Sequence, residues 1–169
     1  SAIVLDISSP GGTVEGLSTA VEAIGACEKP VIAHARGDMC SAAYWLASAA
    51  SMITADEAAA VGCLGCMVTV PNGGKTWATD FVSSLTPQKN ADPQTADGAA
   101  QYQRLADDHG ETMLTQIASL RGDADEGFAE RYGAGAVLAA PTALEQGMVD
   151  ALTPQPGRLA RAMSGTDAG

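Results

Sequence analysis

The chain opens with a strand, a crossover helix and a second strand, and that order decides what it can fold into. Residues 2–8 begin Ala-Ile-Val-Leu-Asp-Ile, a strand-forming run that ends at Ser9-Pro10-Gly11-Gly12. The spacing of Val14, Leu17, Val21 and Ile24 predicts a helix over 13–27 with one apolar face. Pro30 stops it, and Val31–Ala35 reads as the next strand. Two strands joined through a helix pair in parallel with a right-handed crossover. The pattern then repeats. Arg36–Cys40 reads as a loop, Ser41–Ser51 as a helix, and Met52–Ala55 and Gly62–Val70 as strands. The Ser41–Ser51 helix is apolar all round and is therefore expected to be buried. The expectation is an α/β fold with a mostly parallel sheet built from β-α-β units.

Further along, Pro71–Gly74 reads as a turn, 76–85 as a helix and Thr86–Asp97 as a polar loop. A long helix over about 98–120 carries Tyr102, Leu105, His109, Met113, Ile117 and Leu120 on one stripe. A short helix falls within Gly122–Gly135, a small strand at Val137–Ala139, and a helical turn at Thr142–Gln146. Beyond Thr153 large apolar side chains are scarce, so residues 1–152 read as the folded core and 153–169 as a flexible tail. Ser1 falls almost inside a strand, which suggests a trimmed start.

Composition narrows the partners. Alanine and glycine make up 52 of 169 residues, and only seven are aromatic, so helices must pack closely on the sheet. A net charge of −11 argues against nucleic acid and anionic membranes as partners, since both need a basic face. No apolar run reaches the ~18–20 residues of a membrane span, and no signal peptide is visible.

Several residues carry chemistry. The glycines of Ser9-Pro10-Gly11-Gly12 permit a sharp strand-to-helix turn and leave N–H groups free to face an oxyanion. An ordinary turn is the plainer reading. Ser41 opens the buried helix, as an N-cap or as a nucleophile beside the helix dipole. Cys63 and Cys66 form C-x-x-C, but no second Cys/His cluster completes a zinc site, so small buried residues are the simpler account. A nucleophilic serine needs a base. His34 reads as structural or surface, His109 as packed on its helix, Lys29 as complementing the dipole at a helix end, and Lys75 and Lys89 as solvent-facing when each is taken alone.

Taken together, the order SSPGG, DMCSAAYWLASAA, VGCLGCMVTV, PQKNADP and ALEQGMVD resembles the signal peptide peptidase A family. It is most similar to the tailed-phage head (capsid maturation) protease branch, from about Ala2 to Leu152. The resemblance implies a Clp-protease/crotonase-like α/β fold, assembled as a homo-oligomeric ring or dome, with elements before the first strand missing. It implies that Ser41 is the nucleophile, Lys89 the general base, Gly12 and Ala42 the oxyanion donors, and Gly11 the shaper of their turn. In Clp-type subunits a histidine serves as base, and the matching stretch Cys63–Met67 holds none. Where the family carries a lysine-orienting serine this chain has Cys63, a weaker hydrogen-bond partner. A free lysine titrates near about 10.4, so a lysine base near neutral pH needs its charged form destabilised by about 4 kcal/mol, which apolar surroundings supply.

The implied activity is a serine endopeptidase acting on scaffold and capsid proteins during phage head maturation, in the host cytoplasm or the assembling head. A bacterial signal-peptide peptidase at the membrane is the nearest alternative. A crotonase-like acyl-CoA enzyme and a non-catalytic shell or scaffold component remain open. Small neighbours such as Ala42, Ala43 and Leu64 suggest small or apolar substrate side chains. No metal or organic cofactor is called for.

Overall fold

The computed structural model describes residues 1–70, 81–89, 91–123 and 125–163. They form two compact units: Ser1–Gly65 with Met113–Gly169, and Cys66–Thr112.

The first unit is built on one sheet of six strands: β1 (Ile3–Ser9), β2 (Val31–Cys40), β3 (Met52–Ala55), β4 (Ala60–Gly62), β5 (Val137–Ala139) and β6 (Ala151–Leu152). β2 is its spine. β1 follows one side of it, with Ile3 opposite Val31 and Ser9 opposite Met39. On the other side β2 changes partner halfway. Ile32–Ala35 pair with Met52–Ala55, and Asp38–Cys40 pair with Ala60–Gly62. These ladders are parallel, as is β3 with β6; only β4 and β5 run antiparallel. Between the two halves Gly37 passes close to Ser8, where a Cβ added to it would lie 2.7 Å from Ser8 Oγ, at the irregularity between β1 and β2.

The side chains of β2, β3 and β4 supply the core. Ile32, Ala33, Ala35, Met39, Ile53, Ala55 and Val61 are fully buried. Each large one contributes about 1.5–3 kcal/mol relative to exposure. α1 (Leu17–Gly25) buries Leu17 and Val21. α2 (Ala42–Ser48) buries six of its seven residues, as its all-apolar sequence demands, and packs on α1 and β2. Alanine at 33, 35 and 47 lets these backbones come close.

α3 (Ala96–Arg121) begins in the second unit and ends in the first, where Met113 and Ile117 are buried. α4 (Phe128–Arg131) and α5 (Ala140–Glu145) follow it. The segment Gly147–Asp150 is held by three side chains. The Tyr44 hydroxyl donates to the Met148 carbonyl at 2.7 Å, and the Tyr132 hydroxyl to Gly147 at 3.0 Å. Arg121 donates to Gly147 and, at 2.6 Å, to the Asp150 carboxylate, which also accepts the Ile53 N–H at 2.7 Å. Burial opposes the Arg121 charge, but the Asp150 carboxylate outweighs it and holds the guanidinium above its usual pKa. Asp150→Ala would leave the Arg121 guanidinium with the Gly147 carbonyl but without its counter-charge, and the Ile53 N–H without this acceptor. The expected loss is about 3 kcal/mol, read as a lower denaturant midpoint.

Several elements differ from the sequence-based expectations. β2 runs through Arg36–Cys40, where a loop was expected, because β4 pairs with that stretch. Gly62–Val70 is not a strand beyond Gly62; β4 is short and ends there. α1 starts at Leu17 rather than at 13, after Gly16 in the left-handed region. Pro156–Met163 is helix α6, resting on β1 and β2 with Ala160 buried, where a flexible tail was expected. On the α3 stripe Leu105, His109 and Leu120 are exposed rather than packed. The turn at 71–74 and the first half of the helix expected at 76–85 lie outside the described residues; 81–85 are not helical. No described helix is long and apolar enough to cross a membrane.

Candidate active site

The end of β2 and the start of α2 meet at a single residue, Ser41, with φ 52° and ψ −125°. These are the angles of the first central residue of a type II′ turn, a place glycine normally takes. An L-residue held there costs about 1–3 kcal/mol and persists only where its surroundings fix it. Two contacts do so. The Ser41 N–H donates to the Gly62 carbonyl at 2.8 Å, and its carbonyl accepts the Trp45 N–H at 3.1 Å. Ser41 caps α2 by position only, since its hydroxyl makes no capping bond. Within its unit that hydroxyl has no hydrogen-bond partner among the described residues. It is half-buried, on a sharp strand-to-helix corner.

Gly11 lies against this corner. A Cβ built on it would stand 2.7 Å from Ser41 Cβ, 2.9 Å from the Cys40 carbonyl and 3.2 Å from the Ala42 nitrogen, and its φ is +107°. Only glycine meets both demands. Ser9 Oγ accepts the Gly11 N–H at 3.2 Å, which fixes the turn. Gly12 faces open space, and a Cβ there would touch nothing. So the fold brings Gly11, Ser41 and the first N–H of α2, that of Ala42, to one spot, with Gly12 next in the chain. No acceptor for the Ala42 N–H occurs among the described residues.

β4 shapes the other side. Gly62 has φ 122°, and a Cβ there would meet the Ala136 carbonyl at 2.6 Å. Cys63, also left-handed at φ 53°, donates its N–H to that same carbonyl at 2.8 Å. Cys63 is therefore one residue from the carbonyl that holds Ser41. It is exposed and Cys66 is half-buried, against the expectation of two small buried residues. Cys40 precedes Ser41 and is buried. Burial first, and then the Asp38 and Cys63 charges, raise its pKa, so it stays a protonated thiol beside the serine.

His34 is structural, as expected. It is buried on β2, with Nδ1 3.0 Å from Thr54 Oγ1 on β3. Burial lowers its pKa from 6.5, against the opposing charges of Asp6 and Asp56. Above 6.5 both folded and unfolded chains are neutral at this site. As the pH falls below that value the unfolded chain binds the proton first, so stability drops until the lower folded value is passed. His34→Gln is therefore expected to lose less stability than wild type between about pH 7.5 and about pH 5.5, as read by urea midpoints.

Lys89 belongs to the second unit. It is exposed and ends a pair of turns in which Thr86 N–H donates to Ser83 O and Lys89 N–H to Thr86 O, each at 3.0 Å. Sequence reasoning missed the Gly62 carbonyl as the clamp on Ser41, and missed Tyr44, Arg121 and Tyr132 as the holders of Gly147–Asp150. The paired glycines of Gly62-Cys63-Leu64-Gly65 were the available signal for the first.

A mostly parallel sheet with helices packed on it and a strained serine between strand and helix defines an α/β protein. The sequence profile of peptidase family S49 matches residues 24–168, and the chain belongs to that family. No curated protein matches it. Among solved structures it is similar to a lysine-to-alanine mutant of the 1510-N membrane-bound stomatin-specific protease in complex with a substrate peptide, with TM-score 0.63 and 16% identity. That match covers 94% of this chain and 63% of the other. A serine-to-alanine mutant of the same protease matches with TM-score 0.58 and 15% identity, over 94% and 67%. The likeness establishes the fold, the Clp-protease/crotonase type of α/β fold expected from the sequence.

Proposed function

We propose that the protein is a serine endopeptidase with a Ser-Lys dyad. The observation that carries this reading is the strained backbone at Ser41, closed over by Gly11. A shell protein or an acyl-CoA enzyme has no use for a serine held in a glycine conformation; a nucleophile does. In this reading Lys89 takes the Ser41 proton as the oxygen attacks a peptide carbonyl. The N–H groups of Gly12 and Ala42 hold the oxyanion, and Gly11 shapes their turn. Lys89 then protonates the leaving amine and activates water to hydrolyse the acyl-enzyme. Cys63 takes the place of the family's lysine-orienting hydroxyl. No cofactor takes part. The types of residue mutated in the two solved relatives, one lysine and one serine, agree with this pairing.

The proposed substrates are scaffold and capsid proteins during phage head maturation, cleaved by a homo-oligomeric ring or dome in the host cytoplasm or assembling head. Degradation of cleaved signal peptides is the second reading, and family membership favours it as much. Incubation with denatured casein and peptide mapping by mass spectrometry tests the activity. Wild type is expected to release peptides, and Lys89→Ala is expected to be slower by about 10³-fold or more. Equal rates for the two proteins would remove Lys89 from the mechanism.

A further inference from the structure

The strain at Ser41 has to be held from both sides. On the strand side the Gly62 carbonyl accepts the Ser41 N–H at 2.8 Å. On the helix side the Trp45 N–H donates to the Ser41 carbonyl at 3.1 Å, which ties Ser41 only to α2 itself. A strained residue relaxes unless its surroundings fix it, so α2 must be fixed as well. α2 has seven residues, well below the ~12–15 at which a helix begins to hold itself. Six of them are buried, but apolar burial is non-directional and leaves a short helix free to rotate or slide.

One side chain supplies the direction. The Tyr44 hydroxyl donates to the Met148 carbonyl at 2.7 Å. The other polar side chains of α2 make no such tie among the described residues. Ser48 Oγ donates to the Trp45 carbonyl inside the helix at 2.6 Å, and Trp45 Nε1 is buried without a partner. Tyr44 is wholly buried, its ring edge-on to that of Tyr132 with centroids 6.3 Å apart. Burial pushes its pKa well above 10, so the hydroxyl keeps the proton it donates. The acceptor is anchored in its own right. The Met148 N–H donates to the Ala143 carbonyl at 2.8 Å. Asp150 donates its N–H to the Ile53 carbonyl of β3 at 2.8 Å and accepts the Ile53 N–H at 2.7 Å. Tyr44 therefore joins the turn after Ser41 to the sheet by a route separate from β4.

We infer that Tyr44 is a positioning residue: the bond from its hydroxyl to the Met148 carbonyl fixes the first turn of α2, and so holds Ser41 and the Ala42 N–H in place. Its effect on turnover rests on the peptidase reading; the tie itself does not. A reacting group displaced by about 1 Å can lose about 10²-fold in rate, so one lost hydroxyl is enough to register.

The test compares Tyr44→Phe with Tyr132→Phe in the full chain. Each keeps its ring and loses one hydroxyl that bonds the same segment, but Tyr132 follows α4 rather than lying on α2. Denaturant midpoints are expected to fall alike. On fluorescein-labelled casein, Tyr44→Phe is expected to lose about tenfold or more in kcat with KM within about threefold, while Tyr132→Phe keeps both within about threefold. Hydrogen exchange of the 41–45 amides, read by mass spectrometry, is expected to quicken by about tenfold or more in Tyr44→Phe alone. Wild-type exchange in Tyr44→Phe, or equal effects in the two variants, overturns the inference. So does quickened exchange with kcat unchanged. Quickened exchange in Tyr44→Phe alone, together with a wild type that cleaves nothing, keeps the tie and removes the peptidase reading.

Discussion

Ser41→Gly is expected to give a protein that is more stable than wild type and inactive. Serine occupies φ 52°, ψ −125°, where a Cβ is unfavourable by about 1–3 kcal/mol. Glycine removes that strain, and the entropy it adds to the unfolded chain returns about 0.5–1 kcal/mol of the gain. The serine hydroxyl makes no capping bond to α2 that would be lost. A net rise of about 1 kcal/mol follows, which for a chain of this size raises the melting temperature by about 2–4 °C. Under the proposed mechanism peptide turnover falls by about 10⁴-fold or more, because the oxygen proposed to attack is gone. Ser41→Ala keeps the Cβ and the strain, so it should lose turnover equally with no gain in stability. The contrast separates a residue kept for its chemistry from one kept for its packing, and differential scanning calorimetry of the three proteins reads it.

Gly11→Ala is the second large effect, and it goes the other way. The new methyl group would meet Ser41 Cβ at 2.7 Å and the Cys40 carbonyl at 2.9 Å, both on stiff backbone. The positive φ adds strain of its own. The two costs together come to about 3 kcal/mol or more. The elbow at Ser41 must shift to relieve the clash, so turnover should fall with stability. Gly12→Ala is the control. Nothing lies within 4 Å of its added Cβ, and the substitution keeps the N–H. Its stability should stay within about 0.5 kcal/mol of wild type. Equal denaturant midpoints for Gly11→Ala and Gly12→Ala would contradict the close approach of the two turns.

Much of this was legible in the sequence because local pattern and tertiary role agree there. The strand before Ser9-Pro10-Gly11-Gly12 and the buried Ser41 helix follow from periodicity and turn chemistry alone. So does the spacing that makes β1, β2 and β3 parallel. Gly11, Ser41 and Ala42 were each readable from a motif, and the fold brings them together. What failed to show was set by partners distant in sequence. Arg36–Cys40 looks like a loop, with Arg36, Gly37 and Asp38 in a row, and becomes strand because Ala60–Gly62 pairs with it. Cys66–Val70 looks like a strand and finds no ladder among the described residues. The helix at Pro156–Met163 has too few large apolar groups to announce itself, yet one buried alanine and contact with two strands suffice to dock it. Arg121 and Asp150 are ordinary charges in the sequence, and only the fold makes them a pair.

The central claim is that Ser41 is a nucleophile activated by Lys89. A fluorophosphonate probe tests it most directly, since it forms a covalent bond only with an activated serine. Intact-mass and peptide analysis should find a single adduct on Ser41 in wild type, none in Ser41→Ala, and labelling slowed by about 10²-fold or more in Lys89→Ala. A folded wild type that takes no label, or a label at Ser41 that forms at the same rate without Lys89, would contradict the account.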